Sequence, residues 1–269
     1  MKRTYIVMVV AVSLLICLVF VGAANQEKSQ RYLDEQESIR DAVAGSMETL
    51  ISLGKYESSD GSNRTLSIEE KQRYIQEYNT KVDRYYSRDH AAYALYKSWN
   101  EEYLTSESIQ AEENCIDAGV SDVRLLSIDF DSQYREAEVE AYVTCWNKWV
   151  TMDKDSYGVA CPVSRTYVKL RLVFEDGFWK LIENIEFIPS DNAYDRQAVE
   201  QEYKRMVPGM EEKPINRHES DEIEESIDLN QRIMSTKYAT YQEAVEAAKS
   251  LDVVKGNYYA YYENSILQD

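Results

Sequence analysis

Apolar positions recur at steps of three and four through Tyr32, Ile39, Val43, Met47, Leu50 and Leu53, which is the period of an amphipathic helix. Gly54 offers a stop, and the polar stretch from Lys55 to Leu66 has the composition of a loop. Ser67 followed by Glu70 forms a capping box, so a new helix begins there, with Ile68, Ile75, Tyr78, Val82 and Tyr85 along one side. After Ser87-Arg88-Asp89 a further helix carries Ala92, Tyr96, Trp99 and Tyr103. From Val120 the period drops to two, and strands are expected at Asp122–Phe130, Arg135–Val150, Val163–Phe174 and Phe178–Ile188. In the second of these, Val139, Ala141, Val143 and Cys145 share one face, while Glu136, Glu138, Glu140 and Tyr142 share the other. Thr151 to Ala160 is polar and reads as a loop.

Asp176-Gly177 is a two-residue hairpin turn, since both positions tolerate positive φ. Such a turn sets the register of its strands. It pairs Phe174 with Trp179, Leu172 with Leu181, Leu170 with Glu183 and Val168 with Ile185, which places one carboxylate on an otherwise apolar face. Beyond Pro189, Val199, Tyr203 and Met206 mark another helix. Glu211 to Glu225 is acidic and interrupted by Pro214, as an exposed linker is. Ile223, Ile227, Asn230 and Met234 hint at a helix, and Thr240 with Glu243 is a second capping box.

Helices followed by an antiparallel meander make an α+β chain. The stretch Tyr167-Val168-Lys169-Leu170-Arg171-Leu172-Val173-Phe174-Glu175-Asp176-Gly177-Phe178-Trp179-Lys180-Leu181-Ile182 resembles the closing hairpin of the NTF2-like superfamily, and the resemblance extends over Ser67 to Ile188. It implies helices packed into the concave side of a curved sheet, forming a cone. The pocket candidates are then Glu183, Trp179, Tyr78, Tyr85, Tyr96 and Trp99. Tyr194-Asp195-Arg196-Gln197-Ala198-Val199 also resembles a segment linked to exported amidase domains, but no cysteine follows it and His218 stands alone. The expected organisation is 1–24 as leader or anchor, 25–66 as helix and loop, 67–207 as the NTF2-like domain, 208–225 as acidic linker and 226–269 as a helical extension.

Tyr5 to Ala24 is almost unbroken apolar sequence behind Lys2 and Arg3. It is long enough for a membrane-spanning signal anchor, with the remaining chain outside the cytoplasm. Small residues at Gly22, Ala23 and Ala24 equally suit cleavage after Ala24 and secretion. The formal charge of −18 argues against nucleic acid as a partner. Two histidines, His90 and His218, far apart in the chain, give little support to nucleophile or metal chemistry. No metal and no cofactor are expected. Cys115, Cys145 and Cys161 follow the apolar run; if one pair bridges, Cys145 and Cys161 are nearest, and the alternative is three buried thiols.

These features point to a non-catalytic, exported cell-surface module, bound to the membrane through its N-terminal segment, that engages a protein or cell-envelope partner. The alternative is a small-molecule-binding or enzymatic NTF2-like domain using a pocket with Glu183.

Overall fold

The computed structural model describes residues 33, 35–57, 66–105, 113–189 and 229–253. The chain divides into two compact units, Met1–Asp41 and Ala42–Asp269. Of the first, residues 35–41 are helical. The second begins with α1 (42–51), whose end is marked by Gly54 at φ +71, the left-handed conformation in which a residue without Cβ is unstrained.

The two capping boxes form as the spacing dictates. Ser67 Oγ accepts from the Glu70 N–H at 3.2 Å while Glu70 Oε2 accepts from the Ser67 N–H at 2.8 Å, and α2 (Ile68–Tyr85) starts there. It ends at Tyr86, whose backbone turns extended and whose hydroxyl donates to the Ser46 carbonyl at 2.8 Å, tying α2 to α1. Next comes α3 (Tyr93–Thr105), and Asn100 Oδ1 anchors it by accepting from the Gly54 N–H at 2.9 Å.

The strands are β1 (Glu113–Phe130), β2 (Glu136–Asp153), β3 (Ser156–Ala160), β4 (Val163–Glu175) and β5 (Phe178–Pro189). They form one five-stranded antiparallel sheet, ordered β1-β2-β4-β5, with β3 also pairing with β2. The chain is therefore α+β, as the change of period implies. Two parts of the sheet depart from expectation. The supposed loop Thr151–Ala160 is the tip of the β2–β3 hairpin, turned at Lys154 with φ 52. And β1 begins at Glu113 rather than Asp122; bulges that leave Ile116, Ser121 and Leu126 without partners on β2 scramble the alternation that would have shown its first part.

The two faces of β2 serve different layers. Ala137, Val139, Ala141, Val143 and Cys145 are buried on one face, beside Leu172, Leu170 and Val168 of β4. On that face Asn147 Nδ2 donates to the Ile51 carbonyl at the end of α1. The opposite face near Trp146 holds a second apolar cluster, with Ile116, Val150, Val159, Cys161 and Val163 from the sheet. Residues 229–235 (α4) and α5 (Tyr241–Lys249) cover it with Ile233, Tyr241, Val245 and Ala248. Thr240 caps α5 in the predicted box, accepting from the Glu243 N–H at 3.2 Å.

Two expectations are corrected here. Among the described residues no helix is long and apolar enough to cross a membrane, so the transmembrane helix and signal anchor find no support; Tyr5–Ala24, on which they rested, lies outside the described residues. Cys145 and Cys161 form no disulfide, and with Cys115 they are buried thiols. The reason is the register. Trp149 pairs with Ala160 and Trp146 with Val163, one unbroken phase across Cys161-Pro162. Cys161 therefore joins the Trp146 face, while Cys145 lies on the other. The expected helix after Ser190 and the acidic linker 208–225 fall outside the described residues.

Candidate functional site

The β4–β5 hairpin positions the features of interest. Asp176 (φ 54) and Gly177 (φ 83) both take positive φ, and the register leaving the turn is the expected one, with Phe174 opposite Trp179 and Leu172 opposite Leu181. The register then slips twice. Ile182 has no partner, so Arg171 faces Glu183 and Leu170 faces Asn184; Ile185 has none either, so Lys169 faces Glu186 and Val168 faces Phe187. The first slip moves Glu183 off the apolar face, because side chains alternate and one extra residue reverses them. Glu183 is exposed, and its Oε2 lies 2.5 Å from Arg171 Nη2. This corrects the placement of Glu183 inside a cone.

Among the described strands β5 lies at the edge of the sheet. Its outer edge is partly used: Tyr86 bridges Leu181, and the Ser87 N–H donates to the Leu181 carbonyl at 2.9 Å. Beyond that point Glu183, Asn184, Ile185, Glu186 and Phe187 are all exposed, Ile185 by 43% and Phe187 by 42%. Beside them runs an ionic ladder. Lys169 Nζ contacts Glu138 at 2.6 Å and Glu140 at 3.3 Å, and these bonds, Glu138's foremost, hold its ammonium pKa above the usual range. Glu186, across the strand from Lys169, makes no ion pair among the described residues. The phenol of nearby Tyr167 is pushed up, chiefly by burial and then by Glu140 and Glu186.

Of the other pocket candidates, Tyr78 of α2 and Tyr96 and Trp99 of α3 come together. Tyr96 stacks edge-on with Tyr86 at 5.3 Å and lies 6.3 Å from Trp99; Tyr86 meets His90 at 5.0 Å. Tyr78 belongs to this group, its phenol raised by burial first and by Tyr96 second. Trp99 itself is 47% exposed. Trp179 lies 5.4 Å from Phe174 and 5.8 Å from Phe130. The Tyr85 ring fills the space a side chain at Gly45 would need. One described groove, of about 590 Å³, is lined by Arg73, Gln76, Glu77, Thr80 and Lys81 of α2 and includes none of these residues. Among the described residues no group of three or more His, Cys, Asp or Glu is placed to hold a metal ion.

Sequence reasoning missed Tyr86 and His90 as partners of Tyr96, and Ile185 and Phe187 as exposed. The second had a signal. In Leu181-Ile182-Glu183-Asn184-Ile185-Glu186-Phe187, two adjacent apolar residues are followed by two adjacent polar ones, a break in alternation that marks a bulge.

No family model matches the chain, and no curated protein matches it. Among solved structures, the intermembrane space region of the chloroplast protein ARC6 is similar over 47% of this chain and 99% of that one, at 13% identity and a TM-score of 0.26. A likeness that low carries no argument about fold or activity.

Proposed function

We propose that this chain is a non-catalytic binding module for a protein partner, built on an NTF2-like body. The order of helices before sheet, and the strand bulges that bend β1 and β5, support that body. The observation that carries the binding reading is the run of five consecutive exposed residues on β5 past Leu181, where no described residue pairs with its outer edge, with Ile185 and Phe187 among them. Apolar side chains beside an unpaired strand edge are a hazard that proteins ordinarily cover or charge, and a partner that covers them gives the exposure a use. The alternative of a pocket enzyme loses its one named polar group, since Glu183 is paired with Arg171 on the outer face.

The test is site-specific photocrosslinking in the native cells of the full chain. A photoreactive phenylalanine replaces Phe187, and in a control it replaces Glu101, which is exposed on α3. A discrete protein adduct at position 187 and none at 101 is expected. Adducts at neither position, or equally at both, would overturn the reading.

A further inference from the structure

We infer that the open half of β5 takes up, as an added strand, an extended peptide segment in which basic and apolar residues alternate. The inference rests on the partner-binding reading and gives it a chemistry.

The edge already works as a hydrogen-bonding edge. The Leu181 carbonyl accepts from the Ser87 N–H, and past Leu181 no described residue bridges β5 on that side. An extended segment laid there gains main-chain hydrogen bonds, the source of affinity when a peptide joins a sheet edge. Side chains supply selection. Glu183 and Glu186 pair with Arg171 and Lys169, and so belong to the outer, charged face; Asn184 and Phe187 pair with buried Leu170 and Val168, and so belong to the apolar face. Neighbours on an incoming strand fall alternately beside one set and the other.

Charge decides what stands beside the glutamates. Near this edge the outer face carries Glu138, Glu140, Glu183 and Glu186 against Lys169 and Arg171. Lys169 is engaged by Glu138 and Glu140, and Arg171 by Glu183, which leaves Glu186 facing solvent. Lysine or arginine on the added strand balances this surplus. The same charges disfavour a second copy of the chain. Self-pairing would bring the glutamates of two β5 strands near one another and bring together two chains of formal charge −18. The bulges at Ile182 and Ile185 restrict the site further, because only a short segment in the right register can follow a twice-bent edge.

The experiment titrates the purified full chain with three peptides of about eight residues, a usual strand length. One alternates Lys and Val, one alternates Glu and Val, and one is the Lys–Val peptide N-methylated at every second residue so that a pairing edge is lost. Fluorescence anisotropy reads binding, and hydrogen exchange reads which amides become protected. The Lys–Val peptide should bind, weaken with salt, and protect amides at 183–187. The other two peptides, and the Glu186→Lys and Phe187→Asp variants with the first peptide, should each bind at least about tenfold more weakly. Absence of Lys–Val binding, equal binding of the Glu–Val or N-methylated peptide, or protection elsewhere overturns the inference. So does a dimer in sedimentation that Phe187→Asp dissolves, because the occupant is then a second copy. If crosslinking at position 187 succeeds while the peptide fails, the partner reading stands and the added strand falls.

Discussion

The Nζ of Lys148 donates to the carbonyl of Leu251 at 3.0 Å and to that of Lys249 at 3.3 Å, so a buried cation of β2 caps the C-terminal end of α5. The carbonyls at that end have no partner within the helix, and they present the negative pole of its dipole. Trp146, whose ring centre is 5.4 Å away, adds its π face.

Replacing Lys148 by Met keeps most of the volume and removes both hydrogen bonds. Bonds to a charged donor contribute about 1.5–3 kcal/mol each, and removing the charge also relieves a desolvation cost, so the expected net loss is ~2 kcal/mol. Urea denaturation measures it. Hydrogen exchange should show the amides of α5 losing protection before those of β2 and β4; uniform loss would mean that Lys148 does not fasten α5.

His90 is buried between Tyr86 and Tyr96, and its Nδ1 accepts from the Ala92 N–H at 3.0 Å. Burial lowers its pKa, so the folded chain favours the neutral ring. The resulting stability is fully present above the ordinary histidine value of about 6.5 and is lost as pH falls below it toward the folded value. His90→Asn keeps an acceptor in nearly the same place and does not titrate. Melting curves should show the native chain losing stability between about pH 7 and pH 5.5, and the variant losing less. Parallel pH profiles would refute the assignment.

Arg171 and Glu183 are each about half exposed, 48% and 49% of their side chains. An ion pair in that setting is worth at most about 1 kcal/mol after solvent screening. Arg171→Ala and Glu183→Leu should each change unfolding free energy by less than that. A gain or loss several times larger for Glu183→Leu would mean that its carboxylate is buried after all.

Burial pushes the Cys115 thiol up to about 11 and the Cys145 thiol up to about 12. Thiolates, not thiols, react with alkylating agents. Iodoacetamide at about pH 8 should therefore modify both at least a hundredfold more slowly in the folded chain than in urea, and a reducing agent should leave the melting temperature unchanged. A reductant-sensitive melt would restore the Cys145–Cys161 bridge.

What could be read ahead of the fold was local. Ser67 with Glu70, Thr240 with Glu243, and Asp176-Gly177 each bring their own partners within a few residues, and all three form as spaced. The features that escaped were set by distant chain. β3 looks like loop by composition, and it becomes a strand because Trp149 to Asp153 lie opposite and Tyr157 bridges Tyr238. Glu183 went astray because a turn propagates its register only as far as the first bulge, five residues on from Gly177 at Ile182. The aromatic partners could not be read from periodicity alone: Tyr96 meets Tyr86 from the end of α2, and Trp179 meets Phe130 from the end of β1, both distant in sequence.

The cover over the Trp146 end of the sheet has a consequence for synthesis. The apolar surface of Ile116, Val150, Val159 and Val163 is closed by side chains as late as Val253. At a translation rate of ~5–20 residues per second, the 90 residues from Val163 to Val253 take roughly 5–18 seconds to appear, and α1 to α3 and most of the sheet can form in that time. Through much of that time the apolar patch around Trp146 is without the side chains of α4 and α5 that cover it. A chaperone that recognises exposed apolar surface on nascent chains has its opportunity there, before residues 233 to 253 arrive to close the patch.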